Sequence, residues 1–149
     1  MQTASQPMVL LLLAVILQAQ AAGVPTPMIL DGGQIIGVEQ AQALRADPRV
    51  VFIDTRNPVN YGRSHIAGAR LMAYRGGSAN RPDFDPTLDE FDVSRLPEDK
   101  QTVIVFYSHG DTGWKSYKAA VTAISAGYQR IHWMRDGFAV WKERGLPME

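Results

Sequence analysis

Apolar residues are not spread evenly along this chain. They gather into short runs separated by polar, Gly- and Pro-containing stretches. Residues 50–54 (VVFID) and 102–107 (TVIVFY) are apolar at consecutive positions and rich in β-branched side chains, which predicts strands buried on both faces. Residues 69–74 and 130–134 predict two further short strands. Between them the spacing changes to a helical one. Helices are expected over 38–46 (VEQAQALRA), stopped by Asp47-Pro48, and over 114–126 (WKSYKAAVTAISA), with Gly127 just past the end. Shorter helices are expected over 61–67, 88–96 and 138–144, while 75–86 (RGGSANRPDFDP) has the composition of a loop. Strands alternating with helices predict an α/β fold with a central, mainly parallel sheet flanked by helices. Ligands of such sheets bind beyond the carboxyl ends of the strands. The loop 108–113, between the strongest strand and the strongest helix, is therefore the expected functional site.

The first thirty residues follow a different pattern. They hold no charged side chain before Asp31, and residues 8–17 are an unbroken apolar run. Such a run is too short to span a bilayer, which takes about 20 residues. With Ala19-Gln20-Ala21 after it, it reads as a secretory signal peptide over 1–21. No Lys or Arg precedes the apolar core, so only the terminal amine supplies the usual positive charge. The expectation is a periplasmic or secreted protein without a stable membrane anchor after cleavage. An irregular segment follows over 22–33, then one domain over 34–149.

Composition narrows the function. Fifteen basic and fifteen acidic residues cancel, which gives no sign of nucleic-acid binding. The chain has no cysteine, so neither a disulfide nor a thiol nucleophile is available.

Two stretches carry a family resemblance. FIDTRNPVNYGRSHIAGARLMAY, with Asp54, Arg56, Tyr61, His65, Ile66, Gly68 and Ala69, resembles the N-terminal signature of rhodanese-like domains. IHWMRDGFAVWKERGLP, with Gly137, Trp141, Gly145, Leu146 and Pro147, resembles their C-terminal signature, although Asp136 stands where glycine is usual. The resemblance spans about residues 34–147. It implies a three-layer α/β sandwich whose active members are sulfurtransferases. These carry a persulfide on a cysteine in the loop between strand and helix, where main-chain N–H groups and the helix amino end favour a thiolate. Here the decisive atom is missing. Counting forward from TVIVFY places the cysteine near Ser108, whereas counting back from Gly127-Tyr128 places it nearer Gly110. A narrower likeness links Trp114 and the HWMRDG stretch to exported rhodanese-like proteins associated with pyrroloquinoline-quinone-dependent alcohol oxidation. Their CxxCW loop would put cysteines at Gly110 and Gly113.

The loop offers Ser108, His109, Gly110, Asp111, Thr112 and Gly113. A catalytic Ser108 would need a base such as His109 beside it, held by a third group; a bland helix-capping hydroxyl is the simpler reading. His109, Asp111 and the distant His65 lack the spacing of a metal site, and no cofactor is expected. The loop amides could hold an anion. Against this, the Asp111 carboxylate could repel one, or Asp111 or Thr112 could cap the helix and fill the donors. Asp54–Arg56 and His65 read as structural, and Trp114, Trp133 and Trp141 as possible walls of a groove. The expected function is an exported, non-catalytic module that binds a partner protein or a small anion at the former active-site loop. The alternative is an enzyme, sulfurtransferase-related or a Ser/His-dependent hydrolase or phosphatase, working through Ser108 and His109.

Overall fold

A computed structural model describes residues 23–149. The signal peptide expected over 1–21 lies outside the described residues. Five strands form one sheet: β1 (Gln34–Ile36), β2 (Val51–Asp54), β3 (Arg70–Leu71), β4 (Ile104–Tyr107) and β5 (Ile131–Met134), in the order β1-β5-β4-β2-β3. Every pairing is parallel. Among the described residues four α-helices accompany them: α1 (Val38–Leu44), α2 (Pro58–Arg63), α3 (Trp114–Ser125) and α4 (Gly137–Glu143).

Alternate side chains of each strand go to opposite faces, and both faces are apolar. Ile53, Ile104, Phe106, Ile131 and Trp133 pack with Tyr117, Ala119, Ala120 and Ala123 of α3. On the other face Ile36, Phe52, Val105, Tyr107 and Met134 pack with Val38 and Ala41 of α1 and Phe138 and Trp141 of α4. All four residues of β4 are buried, as the apolar run VFY predicts for a central strand. The result is the expected three-layer α/β sandwich.

Several expectations need correction. β1 is absent from the sequence reading: QII is only three residues between glycines, below the length at which a pattern is legible. The helix expected over 61–67 lies earlier. Asn57 caps it by accepting from the Asn60 N–H at 2.8 Å, and Pro58 occupies its first turn. The strand expected over 69–74 is confined to Arg70–Leu71. No α-helix forms over 88–96. Two 3₁₀ turns, Pro86–Leu88 and Val93–Arg95, stand there instead. The Asp85 and Asp92 carboxylates accept the N–H two residues on, a local bond that competes with helix continuation.

Candidate functional site

Strand order reverses direction around β2 and β4. From β2 the chain moves outward to β3, returns to β4 and continues the opposite way to β5. This switch point opens a crevice between the loops that leave the two strands. Loop 108–113 follows β4, and Arg56 and Asn57 follow β2. Both line one cleft of about 340 Å³.

Ser108 does not face that cleft. It is 1% exposed, and its Oγ lies 3.0 Å from the Gly113 carbonyl oxygen and 2.8 Å from Ser116 Oγ. Ser116 Oγ is 3.1 Å from the same carbonyl and accepts from Trp133 Nε1 at 2.9 Å. The two hydroxyls and the indole thus close the base of the loop onto α3. His109 is on the outside, with Nε2 3.3 Å from Thr112 Oγ1. The two residues are adjacent in sequence, but their side chains go to opposite sides, so His109 is not the base that a serine nucleophile requires.

The rest of the loop is held from two directions. The amino end of α4 reaches under it: Phe138 N donates to Ser108 O at 2.8 Å and Ala139 N to His109 O at 2.9 Å. Gly137 makes this approach possible. Its φ is +70°, and a Cβ there would stand 2.6 Å from Gly110 N. From the other side the segment after Gly23 forms a strap. Thr26 N and Oγ1 both donate to Asp111 O, at 2.9 and 2.5 Å. Trp114 Nε1 donates to Val24 O at 2.8 Å, and the Arg135 guanidinium donates to Thr26 O and Pro27 O.

This arrangement separates the two readings of the loop. Gly113 is the N-cap of α3 and no side chain accepts from the helix's first turn, so neither the Asp111 carboxylate nor the Thr112 hydroxyl fills those donors; the Thr112 carbonyl takes only the Trp114 N–H, at 3.1 Å. Asp111 is tied through its carbonyl, and its exposed side chain is not part of the cleft wall. The cleft wall contains Arg56, Lys115, Lys118 and His109 and no carboxylate. Asn57, Asn60 and Asn80 add amide groups, and Trp114 and Tyr74 add aromatic surface. Trp133 and Trp141 are wholly buried in the two cores, which corrects their reading as groove walls.

Arg56 is anchored before any ligand arrives. Its Nε and Nη2 grip the buried Asp54 carboxylate at 2.7–3.1 Å, and Nη2 also donates to Ser64 O. Its Cζ lies 4.2 Å from the Phe138 ring centroid. Tyr107 Oη donates to Asp54 and accepts from Ile66 N; burial, followed by the Asp54 charge, pushes its hydroxyl pKa far up. His65 Nδ1 is 2.9 Å from Tyr61 O and its ring stacks on Tyr61, a structural role as expected. Among the described residues no group of three or more His, Asp or Glu could hold a metal.

Lys118, Asn60 and the strap were not singled out from the sequence. A signal for Lys118 was present: it follows Trp114 by four residues and sits in the Tyr-Lys-Ala-Ala run, on the side of the helix that packs inward. The strap had none, because its main-chain and hydroxyl groups bond Asp111 O, the Trp114 indole and the Arg135 guanidinium, 85 to 109 residues distant in sequence.

The family profile described as Rhodanese-like domain matches residues 37–144. Thiosulfate sulfurtransferase GlpE of Pseudomonas fluorescens (strain Pf0-1) is 32% identical over 104 residues, covering 70% of this chain and 80% of that protein. Thiosulfate sulfurtransferase 16, chloroplastic, of Arabidopsis thaliana is 24% identical over 96 residues, 64% of this chain and 77% of that protein. Among solved structures, the polysulfide-sulfur transferase homodimer of Wolinella succinogenes superposes with a TM-score of 0.56 at 18% identity, covering 99% and 93% of the two chains. At that identity it shows the fold alone. Profile, relatives and sheet topology agree, and this chain belongs to the rhodanese-like domain family.

Proposed function

We propose that this protein is an exported, non-catalytic member of its family that holds a small oxyanion in the cleft above loop 108–113. The observation that carries the reading is the cleft wall itself: basic and amide side chains, no carboxylate, and a helix amino end without a side-chain cap. Main-chain N–H groups at such an end, with their partial positive charge, are a ready anion site. The relatives named for thiosulfate sulfurtransfer suggest the anion's class, a sulfur oxyanion. Transfer of its outer sulfur requires a nucleophile that can carry it. The sequence has no cysteine, and the Ser108 hydroxyl is occupied by Gly113 O and Ser116. Export rests on the apolar run and the Ala-Gln-Ala site ahead of residue 22.

The exported group with a CxxCW loop gives this reading a context. Its two cysteines correspond to Gly110 and Gly113, which differ sharply here. A Cβ at Gly110 meets nothing nearer than Asp136 O at 3.9 Å, whereas one at Gly113 collides with Ser108 Oγ. The inward Ser108 therefore goes together with a glycine at 113.

The test is a titration of the purified protein with thiosulfate at low ionic strength, followed by intrinsic tryptophan fluorescence, in parallel with a thiosulfate-to-cyanide transfer assay. Saturable binding without thiocyanate formation above a heat-denatured control is expected. Catalytic turnover would end the non-catalytic reading, and no saturable binding of thiosulfate, sulfate or phosphate would end the anion reading.

A further inference from the structure

Arg56 and Lys118 both reach the cleft, but they do not bring it the same charge. Arg56 is matched by the bidentate Asp54 carboxylate. Lys118 is 2% exposed, and its Nζ donates to Ser78 O at 3.0 Å and lies 5.5 Å from the Phe84 ring centroid. Among the described residues no carboxylate oxygen stands within 4.0 Å of it. Asp89 is the acid that acts on it from further away, but its oxygens already accept from Tyr74 Oη, Ser78 Oγ and the N–H groups of Gly77 and Ser78. An ammonium has three N–H donors, and one of these is satisfied. Burying a cation without a paired anion is costly. Burial lowers the Lys118 pKa, and the Asp89 charge only partly opposes this.

The position of Lys118 supplies the second half of the argument. It follows Trp114, the first residue of α3, by four, so the two share a helix face and line the same cleft. Lys118 therefore leaves the helix one turn along from an amino end that no side chain caps. We infer that Lys118 is the charge-recognition residue of this cleft, holding an oxyanion between its Nζ and the first-turn amides of α3 beyond Trp114, whose own N–H is taken by Thr112 O. This deepens the anion reading above and rests on it. The half-exposed Lys115 shares the wall, but water screens it, so its contribution is small.

Thiosulfate titrations of wild type, Lys118→Met, Lys118→Arg and Lys115→Met test this. Lys118→Met should weaken binding at least tenfold, Lys118→Arg less, and Lys115→Met under threefold. Unchanged binding by a folded Lys118→Met, or an equal loss in Lys115→Met, overturns the assignment. A measurement on the wild type is independent of any folding defect. The sequence has four lysines, and with ¹³C-lysine labelling the Lys118 ε-carbon resonance should move most on saturation with thiosulfate. If another lysine moves and Lys118 does not, the assignment fails. Absence of saturable binding by the wild type removes the anion reading itself, whereas binding that ignores Lys118 removes only this inference.

Discussion

At the scale of single residues, the fate of this site is decided by which way Ser108 turns. Its hydroxyl shares Gly113 O with Ser116, and Ser116 also receives the Trp133 indole N–H. Removing Ser116 Oγ would leave that indole donor buried without a partner, a loss of about 1–3 kcal/mol. Removing Ser108 Oγ leaves Ser116 to serve both the carbonyl and the indole, at about 1 kcal/mol or less. Urea unfolding of Ser116→Ala and Ser108→Ala should show this order; equal losses would contradict it. The same geometry decides where a thiol could be restored. Gly110→Cys should react readily with a disulfide reagent, since its Cβ meets nothing nearer than Asp136 O at 3.9 Å, and Ser108→Cys should react only on unfolding. Rapid labelling of Ser108→Cys in the native protein would mean that position 108 faces the cleft. None of this was visible in the letters SHGDTG: sequence gives the order of the side chains, and only the turn from β4 into α3 sends Ser108 inward and His109 outward.

At the scale of elements, the site is a junction held by parts distant in sequence. The strap depends on Arg135, which grips Thr26 O and Pro27 O. Arg135→Ala should lower hydrogen-exchange protection of the Thr26 amide, which bonds Asp111 O, by about 1.5–3 kcal/mol, the range for bonds to charged groups. Unchanged protection would show that the strap holds without it. The loop beside Lys118 is organised by Asp89. Burial raises the pKa of this carboxyl, but donors from Ser78, Tyr74 and Gly77 outweigh it and hold the group below its ordinary value. A depressed carboxyl adds stability that is fully present above its unfolded pKa of about 3.9 and is lost as pH falls through the lower folded value. The stability gap between wild type and Asp89→Asn should therefore be widest near neutrality and shrink below about pH 4. A gap that widens on acidification would reverse the sign and refute the argument. Elements themselves were legible to different degrees. β4 and α3 announce themselves because every residue of VFY is apolar and the WKSYKAAVTAISA spacing is helical. The 88–96 stretch misleads, because Asp85 and Asp92 form local bonds that a periodicity argument does not count. β1 is too short to show a period and owes its place to pairing with β5, the last strand in the chain.

At the scale of the whole molecule, the parallel sheet and its switch point are those of the rhodanese-like family, while the sequence holds no cysteine. The two signature stretches revealed the fold because they encode packing: Asp54–Arg56 fixes the loop after β2, and Gly137 lets α4 approach the site loop. They did not reveal the cleft's charge, because Arg56, Lys115 and Lys118 meet only when the connections after β2 and β4 come together. The proposed function requires that this protein hold an anion and return it unchanged. Equilibrium dialysis against thiosulfate labelled in its outer sulfur, with cyanide present, separates holding from transfer in one experiment. The expected result is about one label retained per chain, displaced by unlabelled thiosulfate and recovered entirely as thiosulfate. Recovery of the label as thiocyanate, in amounts above a heat-denatured control, would contradict it.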